Sequence, residues 1–545
     1  MNLKFSHILN ALLVFVLLAT PGGYAQNKKT PMMGWSSWNT FRININEDLI
    51  KETADAMVAK GLKDAGYTFV NIDDGFFYGR DEKGNLLVHP EKFPNGMKAV
   101  ADHIHKLGLK AGIYSDVGIQ TCGSIWDNDK YGMTVGLWGH EERDADLYFN
   151  QWGYDYIKVD YCGGEKVSDE GRKDEEQKYK YILETIKKTA KKDIRFNVCR
   201  WQFPGTWVGD SFGSWRIFVD ISEDFNKSDR GVIGTLEKNM FLAAYASPGH
   251  FNDMDMMQLG RGTMNENEEM SHFGIWCIMS SPLMIGCDLR TIPESTLKII
   301  TNKEVIAINQ DVLGMQAQLV SRTGKQIVLA KPLEKREGKI RAVALVNAEL
   351  EPKTMRVSFR DIQLDGSVKV RDLWQHKDLG KFQDYFEVEV PAHGTAMLKL
   401  EGERTFDKTI YEAEYTFLNE FIGPDGVNGK ARPTKGDNLS GGAKLGWLGN
   451  SATNWAEFRD IYSSKGGRYK MNIYYLCDDE RELTVTVNGK EYKLENLKSG
   501  STNTIASTSI DINLKKGQNV IRLSNDRGWT PDIDKIELVL LSNTK

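Results

Sequence analysis

Residues 154–164 read YDYIKVDYCGG. Strand side chains alternate between two faces, so Ile157, Val159 and Tyr161 share one face, and Lys158, Asp160 and Cys162 the other. The run predicts a buried strand that nevertheless sets a cation, a carboxylate and a thiol together on one side. Its neighbours repeat the pattern. Strand-like runs at 32–39, 67–75, 110–116, 154–162, 194–201, 215–221, 250–256 and 282–288 are separated mostly by amphipathic segments, among them EDLIKETADAMVAKGLKDAG and MKAVADHIHKLGL. Strand–helix alternation implies a parallel sheet, and eight repeats predict an α/β fold closed as a (β/α)8 TIM barrel. An open doubly wound sheet is the alternative; no GxGxxG turn follows the first strand to support its dinucleotide-binding form.

A chain of 545 residues is longer than one hydrophobic core usually serves. Its 70 basic and 75 acidic residues give a net charge of −5, which argues against a nucleic-acid partner. At the N-terminus Lys4 precedes the apolar run ILNALLVFVLLA (8–19), and TPGGYA follows with small residues at Gly23 and Ala25. That order predicts a secretory signal peptide cleaved after Ala25; the run is short for a membrane anchor, and no other stretch reads as a span. The expected destination is therefore the periplasm or the extracellular space. Export permits disulfides among Cys122, Cys162, Cys199, Cys277, Cys287 and Cys477, and none of them has the CxxC spacing of a zinc site.

Four segments follow from these patterns: a signal peptide at 1–25, a catalytic barrel at 26–312, an antiparallel β-sandwich at 313–402 and a second β-sandwich at 403–545. KQIVLAKPL, IRAVALVNA and TMRVSFRDI carry the short alternating runs of the first sandwich. The polar EGERTFDKT (401–409) reads as a linker, and the last segment as an independent module.

Active sites of such barrels lie at the C-terminal strand ends. Trp38, Asp73, Asp74, Tyr114, Lys158, Asp160, Arg200, Arg216, Asp220 and Asp255 fall at or near them, which predicts one shared polar pocket. His103 and His105 lie in a helical pattern where i and i+2 do not share a face, so they are no metal pair. No GxSxG elbow or phosphate-cradling glycine loop is present. What remains is carboxylate chemistry on a polyhydroxylated substrate, hence glycoside hydrolysis without a catalytic cofactor.

TPMMGWSSWNTF, VNIDDG, GIYSDVGIQTCGS, YIKVDYCGG, SWRIFVDI, GHFNDMDMM and SSPLMIGCDL, in this order, resemble the signatures of glycoside hydrolase family 27, the α-galactosidases. VRDLWQHKDLG and VPAHGTAMLKL resemble that family's C-terminal β-domain. The resemblance implies a retaining exo-enzyme acting on α-galactoside oligosaccharides or polysaccharides. Asp160 would be its nucleophile and Asp220 its acid/base, with carboxyl groups about 5–5.5 Å apart. Lys158 would keep Asp160 charged, Asp73 and Asp74 would bind the 6- and 4-hydroxyls, and Arg216 the 2-hydroxyl. Trp38 and Tyr114 would form the pocket's floor and wall, and Asp255 and Met256 would close it. It also implies a Cys122–Cys162 disulfide beside the nucleophile.

One position departs from the family pattern. CRWQFPG places Arg200 where the family commonly has an acid near the sugar's C2, and Trp201 and Phe203 are too bulky there for an acetamide. An α-N-acetylgalactosaminidase is disfavoured accordingly, and a β-L-arabinopyranosidase by Asp73, since the pentose variant tends to carry a longer acid. A non-catalytic glycan-binding protein would not need both Asp160 and Asp220. Residues 411–540 resemble calcium-binding carbohydrate-binding modules with an EAE start. That implies calcium at Glu412, Glu414 and Asp534, with the two glutamates alternating on one strand, and a glycan at Trp529 and Asn525.

Overall fold

The computed structural model describes residues 30–209, 211–427 and 429–542. The signal peptide expected at 1–25 lies outside the described residues. Among those described, no helix is long and apolar enough to cross a membrane.

Eight parallel strands form the first sheet: β1 (Met33–Ser36), β2 (Phe69–Asn71), β3 (Lys110–Asp116), β4 (Tyr156–Asp160), β5 (Arg195–Val198), β6 (Ser214–Arg216), β7 (Phe251–Asp253) and β8 (Leu283–Ile285). Their order is β8-β1-β2-β3-β4-β5-β6-β7. The ring closes just past β7, where the Met257 N–H donates to the Met284 carbonyl (2.7 Å) and the Gly286 N–H to Met257 (3.1 Å). Nearly every strand residue is buried, as a parallel sheet covered on both faces requires. Side-chain caps start the surrounding helices. Asn46 accepts from the Leu49 N–H, Asp174 from Gln177, and Asn265 forms a reciprocal capping box with Glu268.

The glycines of YCGG have a steric purpose. A Cβ on Gly118 would overlap the Gly163 backbone, so the loops after β3 and β4 touch main chain to main chain. Asp116 fastens that contact, its Oδ1 accepting from the Gly118 (2.7 Å) and Gly163 (2.9 Å) N–H groups.

Most expected strands end earlier than their runs predict. β6 stops at Arg216 and β7 at Asp253, so Asp220 and Asp255 stand on loops. The guanidinium of Arg216 donates to the Phe218 carbonyl and to Asp220, which folds the chain back over the strand end.

From Gln318 the chain becomes antiparallel. A six-stranded sheet packs against the pair Lys353–Ser358 and Tyr385–Val390 around Val343, Leu345, Met355, Val357 and Leu400. The expected linker at 401–409 is corrected in its first half. Strand Thr395–Thr405 runs through it, because Arg404 and Thr405 still pair with Asp365 and Leu364.

A second pair of sheets, of six and five strands, occupies the rest. This unit also packs on the barrel. Phe421 is buried and stacks on Tyr245 of the barrel (centroids 5.3 Å) and meets Phe203 (5.5 Å). The Leu418 N–H donates to the Tyr245 hydroxyl, Thr206 to the Asn419 carbonyl, and Lys238 pairs with Asp425. Phenylalanine on both sides of the seam means that apolar surface is removed from water there.

Candidate active site

The inward face of β4 carries Lys158 and Asp160, as alternation predicts. Register sets Tyr114 beside Lys158 and Asp116 beside Asp160 on β3, and Asn197 beside Lys158 on β5. The Lys158 ammonium donates to Asp73 Oδ2 (3.0 Å) and lies 3.9 Å from Asp160 Oδ2. Burial pushes the Asp160 carboxyl up to about 6, with the positive Lys158 pulling back and the negative Asp73 and Asp220 pushing further. Its Oδ1 is buried with no hydrogen-bond partner. A reactive oxygen is therefore free, with a fixed cation behind it.

Cys122 and Cys162 form a disulfide, with the Cys122 sulfur 3.1 Å from Asp160 Oδ2. The bridge ties the helix Cys122–Trp126 to the end of β4. The same helix is held a second time, since Asp74 accepts from the Gly123 N–H (2.7 Å) as well as from Gly75 (2.8 Å). Burial raises Asp74 to about 7.

Arg216 is the second buried cation. Its Nη2 lies 2.8 Å from Asp255 Oδ2 and 3.0 Å from Asp220 Oδ1, and its Nη1 3.8 Å from the Cys199 sulfur. The Asp220 side chain itself is 63% exposed, at the mouth rather than the floor. Asp255 adopts φ +84°, a region side chains rarely occupy, and is held there by the Ile221, Met256 and Asp253 contacts of its carboxylate and N–H. Burial raises it to about 6. Met256 joins Met32, Phe69, Tyr156 and Met284 in an apolar cluster against which Trp38 packs.

Three expectations fail here. Tyr114 is no exposed wall: it is wholly buried, its ring beneath Lys158 and its hydroxyl accepting from the Cys122 N–H (3.2 Å). Arg200 does not reach the pocket. β5 ends at Val198, and beyond it Arg200 turns outward to Glu175 (2.9 Å), Glu165 (3.2 Å) and the Tyr161 ring. Phe203 is buried in the seam with Tyr245 and Phe421, so it does not shape C2 recognition. In Arg200's place the sulfur of Cys199 faces Arg216.

Asn71, Asn197, Asp253 and Cys199 were missed. Asn197 donates to Asp253 Oδ2 (2.8 Å) and to Ser214 (2.8 Å), holding the inner wall. Their signal was present: Asn71 and Asp73, Asn197 and Cys199, and Asp253 and Asp255 are all i, i+2 pairs in strand-like runs.

At the other end of the chain, Glu412 closes strand Ile410–Glu412, while Glu414 lies in the single 3-10 turn Ala413–Tyr415. They do not alternate on one strand as expected; the turn brings them together instead. Asp534, on strand Asp532–Ser542, faces them across Ser440, which donates its N–H to Asp534 (2.9 Å) and its hydroxyl to Glu412 (2.7 Å). Glu412 Oε2 and both Glu414 oxygens are buried without partners. Burial raises all three acids, Glu414 well above the usual range with Glu412 adding to it. An oxygen-only donor set with orphaned carboxylates fits calcium.

Nearby, Trp529 stands edge-on to Trp447 at 5.6 Å between centroids. Asn525 donates to the Glu482 carbonyl on the strand Arg481–Val487 and accepts from the Arg527 N–H of its own loop.

Comparison with known proteins agrees with this geometry. Residues 30–311 match the family profile described as alpha galactosidase A, and residues 323–400 the alpha galactosidase C-terminal beta sandwich domain. A probable alpha-galactosidase of Dictyostelium discoideum is 40% identical over 379 residues, 68% of this chain and 92% of that one. Among solved structures, alpha-galactosidase I from Mortierella vinacea is similar with TM-score 0.63 and 34% identity, over 70% of this chain and 99% of that one. The alpha-galactosidase from Saccharomyces cerevisiae with raffinose is similar at TM-score 0.60 and 25% identity, over 68% and 97%.

Proposed function

The chain belongs to the α-galactosidase A family, glycoside hydrolase family 27, and from that premise we propose that it is a secreted, retaining exo-α-galactosidase with Asp160 as nucleophile and Asp220 as acid/base. The observation that carries this reading is the unpartnered Asp160 Oδ1, with Lys158 fixed behind the other oxygen. Oδ1 attacks the anomeric carbon, and Lys158 holds the carboxylate in its charged, nucleophilic form. Asp220, exposed at the mouth and held by Arg216, gives its proton to the departing glycosidic oxygen. It then takes a proton from the water that releases the sugar.

Asp73, anchored by Lys158, and Asp74 recognise the 6- and 4-hydroxyls of galactose. Arg216 beside Cys199 serves the 2-hydroxyl. Trp38 offers the ring an apolar floor. Asp73 favours galactose over arabinopyranose, for the reason given with the sequence.

In the C-terminal unit Glu412, Glu414 and Asp534 would hold calcium, which when bound neutralises three converging negative charges. Trp529, with Trp447, would stack on a glycan. An α-galactosyl oligosaccharide such as raffinose is the substrate class expected.

NMR of the first-formed sugar from an aryl α-galactoside tests the reading. The α-anomer is expected; the β-anomer would mean inversion and remove Asp160 as nucleophile. Turnover of an aryl β-L-arabinopyranoside above that of the galactoside would overturn the sugar assignment.

A further inference from the structure

Beyond Trp38, the mouth of the barrel carries an assembly that the galactose pocket does not use. Arg42 follows the helical turn Trp38–Phe41 and holds φ +48° and ψ −129°, an unusual backbone conformation for a residue with a side chain. Its guanidinium lies 4.7 Å from the Trp38 ring centroid and grips Asp127 with two bonds, Nε to Oδ1 (2.5 Å) and Nη2 to Oδ2 (2.7 Å). Nη1 donates to no group among the described residues, and the side chain is 47% exposed. The fork is therefore fixed in direction, with one arm open to solvent.

Asp127 is itself fixed. It directly follows the helix Cys122–Trp126, which the disulfide and Asp74 hold against the pocket, and its N–H donates to Gly123 (3.0 Å). Trp126, immediately before it, is 69% exposed, the most exposed of the large hydrophobic side chains of the barrel. The order Trp38, Arg42, Asp127, Trp126 thus runs from the pocket outward. Trp38, packed against the Met256 cluster and beneath Arg42, joins this assembly to the pocket mouth, where Asp220 is exposed. Asp220 protonates the leaving oxygen, so the sugar that leaves lies on that side.

We propose that Trp126 and Arg42 form a subsite for the leaving group, taking the pyranose next to galactose by stacking on the indole and hydrogen bonding to Arg42 Nη1. This rests on the proposed function. A pyranose has an apolar face of C–H groups that matches an exposed indole, and hydroxyls at its rim that match a fixed guanidinium donor. Asp127 and Trp38 keep the donor oriented, so little ordering is left to be done on binding.

The test compares two substrates of the full chain: an α-galactosyl disaccharide, and α-galactosyl fluoride, which has no leaving ring. Trp126→Ala should lower kcat/KM on the disaccharide about three- to tenfold, mainly through KM, and leave the fluoride within about twofold. Arg42→Gln should act in the same direction on the disaccharide while the acid limb of the pH profile on the fluoride stays in place. An equal fall on both substrates would make Trp126 a support of the galactose pocket and overturn the subsite; so would no fall on either. Wild-type protein inactive on the fluoride as well would instead defeat the proposed function, and the subsite with it.

Discussion

Two clusters of buried carboxylates lie far apart in the chain, and they differ in what the protein itself sets against their charge. In the barrel Asp73 meets Lys158 and Asp255 meets Arg216, while Asp74 and Asp116 accept from backbone N–H groups. In the C-terminal unit Glu412, Glu414 and Asp534 converge, yet none forms an ion pair among the described residues, and three of their oxygens have no partner. A buried charge is tolerated only when it is paired or binds a metal. The barrel supplies its counter-charges from its own sequence; the C-terminal cluster has no paired cation among the described residues, which is what the proposed calcium would provide. An internal counter-charge also leaves Asp160 free to react, because Lys158 stabilises it without covering Oδ1.

The largest effect should come from removing the carboxylate whose unpartnered Oδ1 lies in front of Lys158. Asp160→Asn should lower turnover of every α-galactoside by more than roughly 10³-fold, since no other group is placed to bond the anomeric carbon. Asp220→Asn should cost about 10²–10⁴-fold on poor leaving groups and far less on the first step of activated ones. Added azide should then take the place of water and yield the α-glycosyl azide. Comparable residual activity in both variants on an activated aryl galactoside would break the assignment of roles.

Next in size is the C-terminal cluster. Calcium at 100 times its Kd should stabilise this unit by about 2.7 kcal/mol, read as a shift in thermal unfolding that chelator reverses. Glu414→Gln should abolish the shift. The pH dependence has a definite sign. A carboxyl raised in the folded state contributes stability below its unfolded value that is lost as pH rises through the folded one. Calcium-free protein should therefore lose stability between about pH 4 and neutrality, and calcium should remove that loss, with less effect at pH 5 because protons compete for the ligands. An unfolding profile indifferent to calcium at pH 7 would mean that the orphaned oxygens serve something else.

The acid limb of activity should be smaller again. Asp160 titrates at about 6 and must be ionised to attack, so kcat/KM should rise with pH through about 6 and fall about tenfold per unit below it. Lys158→Met removes the cation that opposes burial and should move this limb to higher pH. A limb that stays put would show that Lys158 positions Asp160 without setting its charge.

How much of this was legible depended on how far each feature lay from a regular strand. The eight strands were readable because a parallel sheet buried on both faces needs continuous apolar runs, and YIKVD kept its alternation to the last residue. The link between Cys122 and Cys162 came only from resemblance; nothing in either cysteine's neighbourhood names the other. Arg200 was misplaced because alternation lapses where β5 ends, and Glu175, the first residue of the helix Glu175–Thr189, decides its direction. Phe203 was misplaced because its burial is decided by Phe421, in a different unit. Glu414 meets Glu412 through a 3-10 turn that interrupts an apparent strand, so the alternation read for the pair does not hold.

The smallest effect sharpens the comparison by removing burial from it. Asp425 also pairs across the seam, with Lys238, but its side chain is 73% exposed. Water already solvates this carboxylate, so the pair gains little Coulomb energy and must hold two side chains in one arrangement to gain it. Asp425→Asn should change stability by less than about 1 kcal/mol, and high salt should erase even that. Phe421→Ala, a few residues earlier, deletes a buried ring at the same seam and should cost about 3–5 kcal/mol. If thermal unfolding instead found the two variants equal, the seam would be held by charge, and Phe203 and Tyr245 would have to be stable in water without their cover. The expected ranking places the join between barrel and C-terminal unit in its aromatic contact, and reserves large electrostatic effects for carboxylates that water cannot reach.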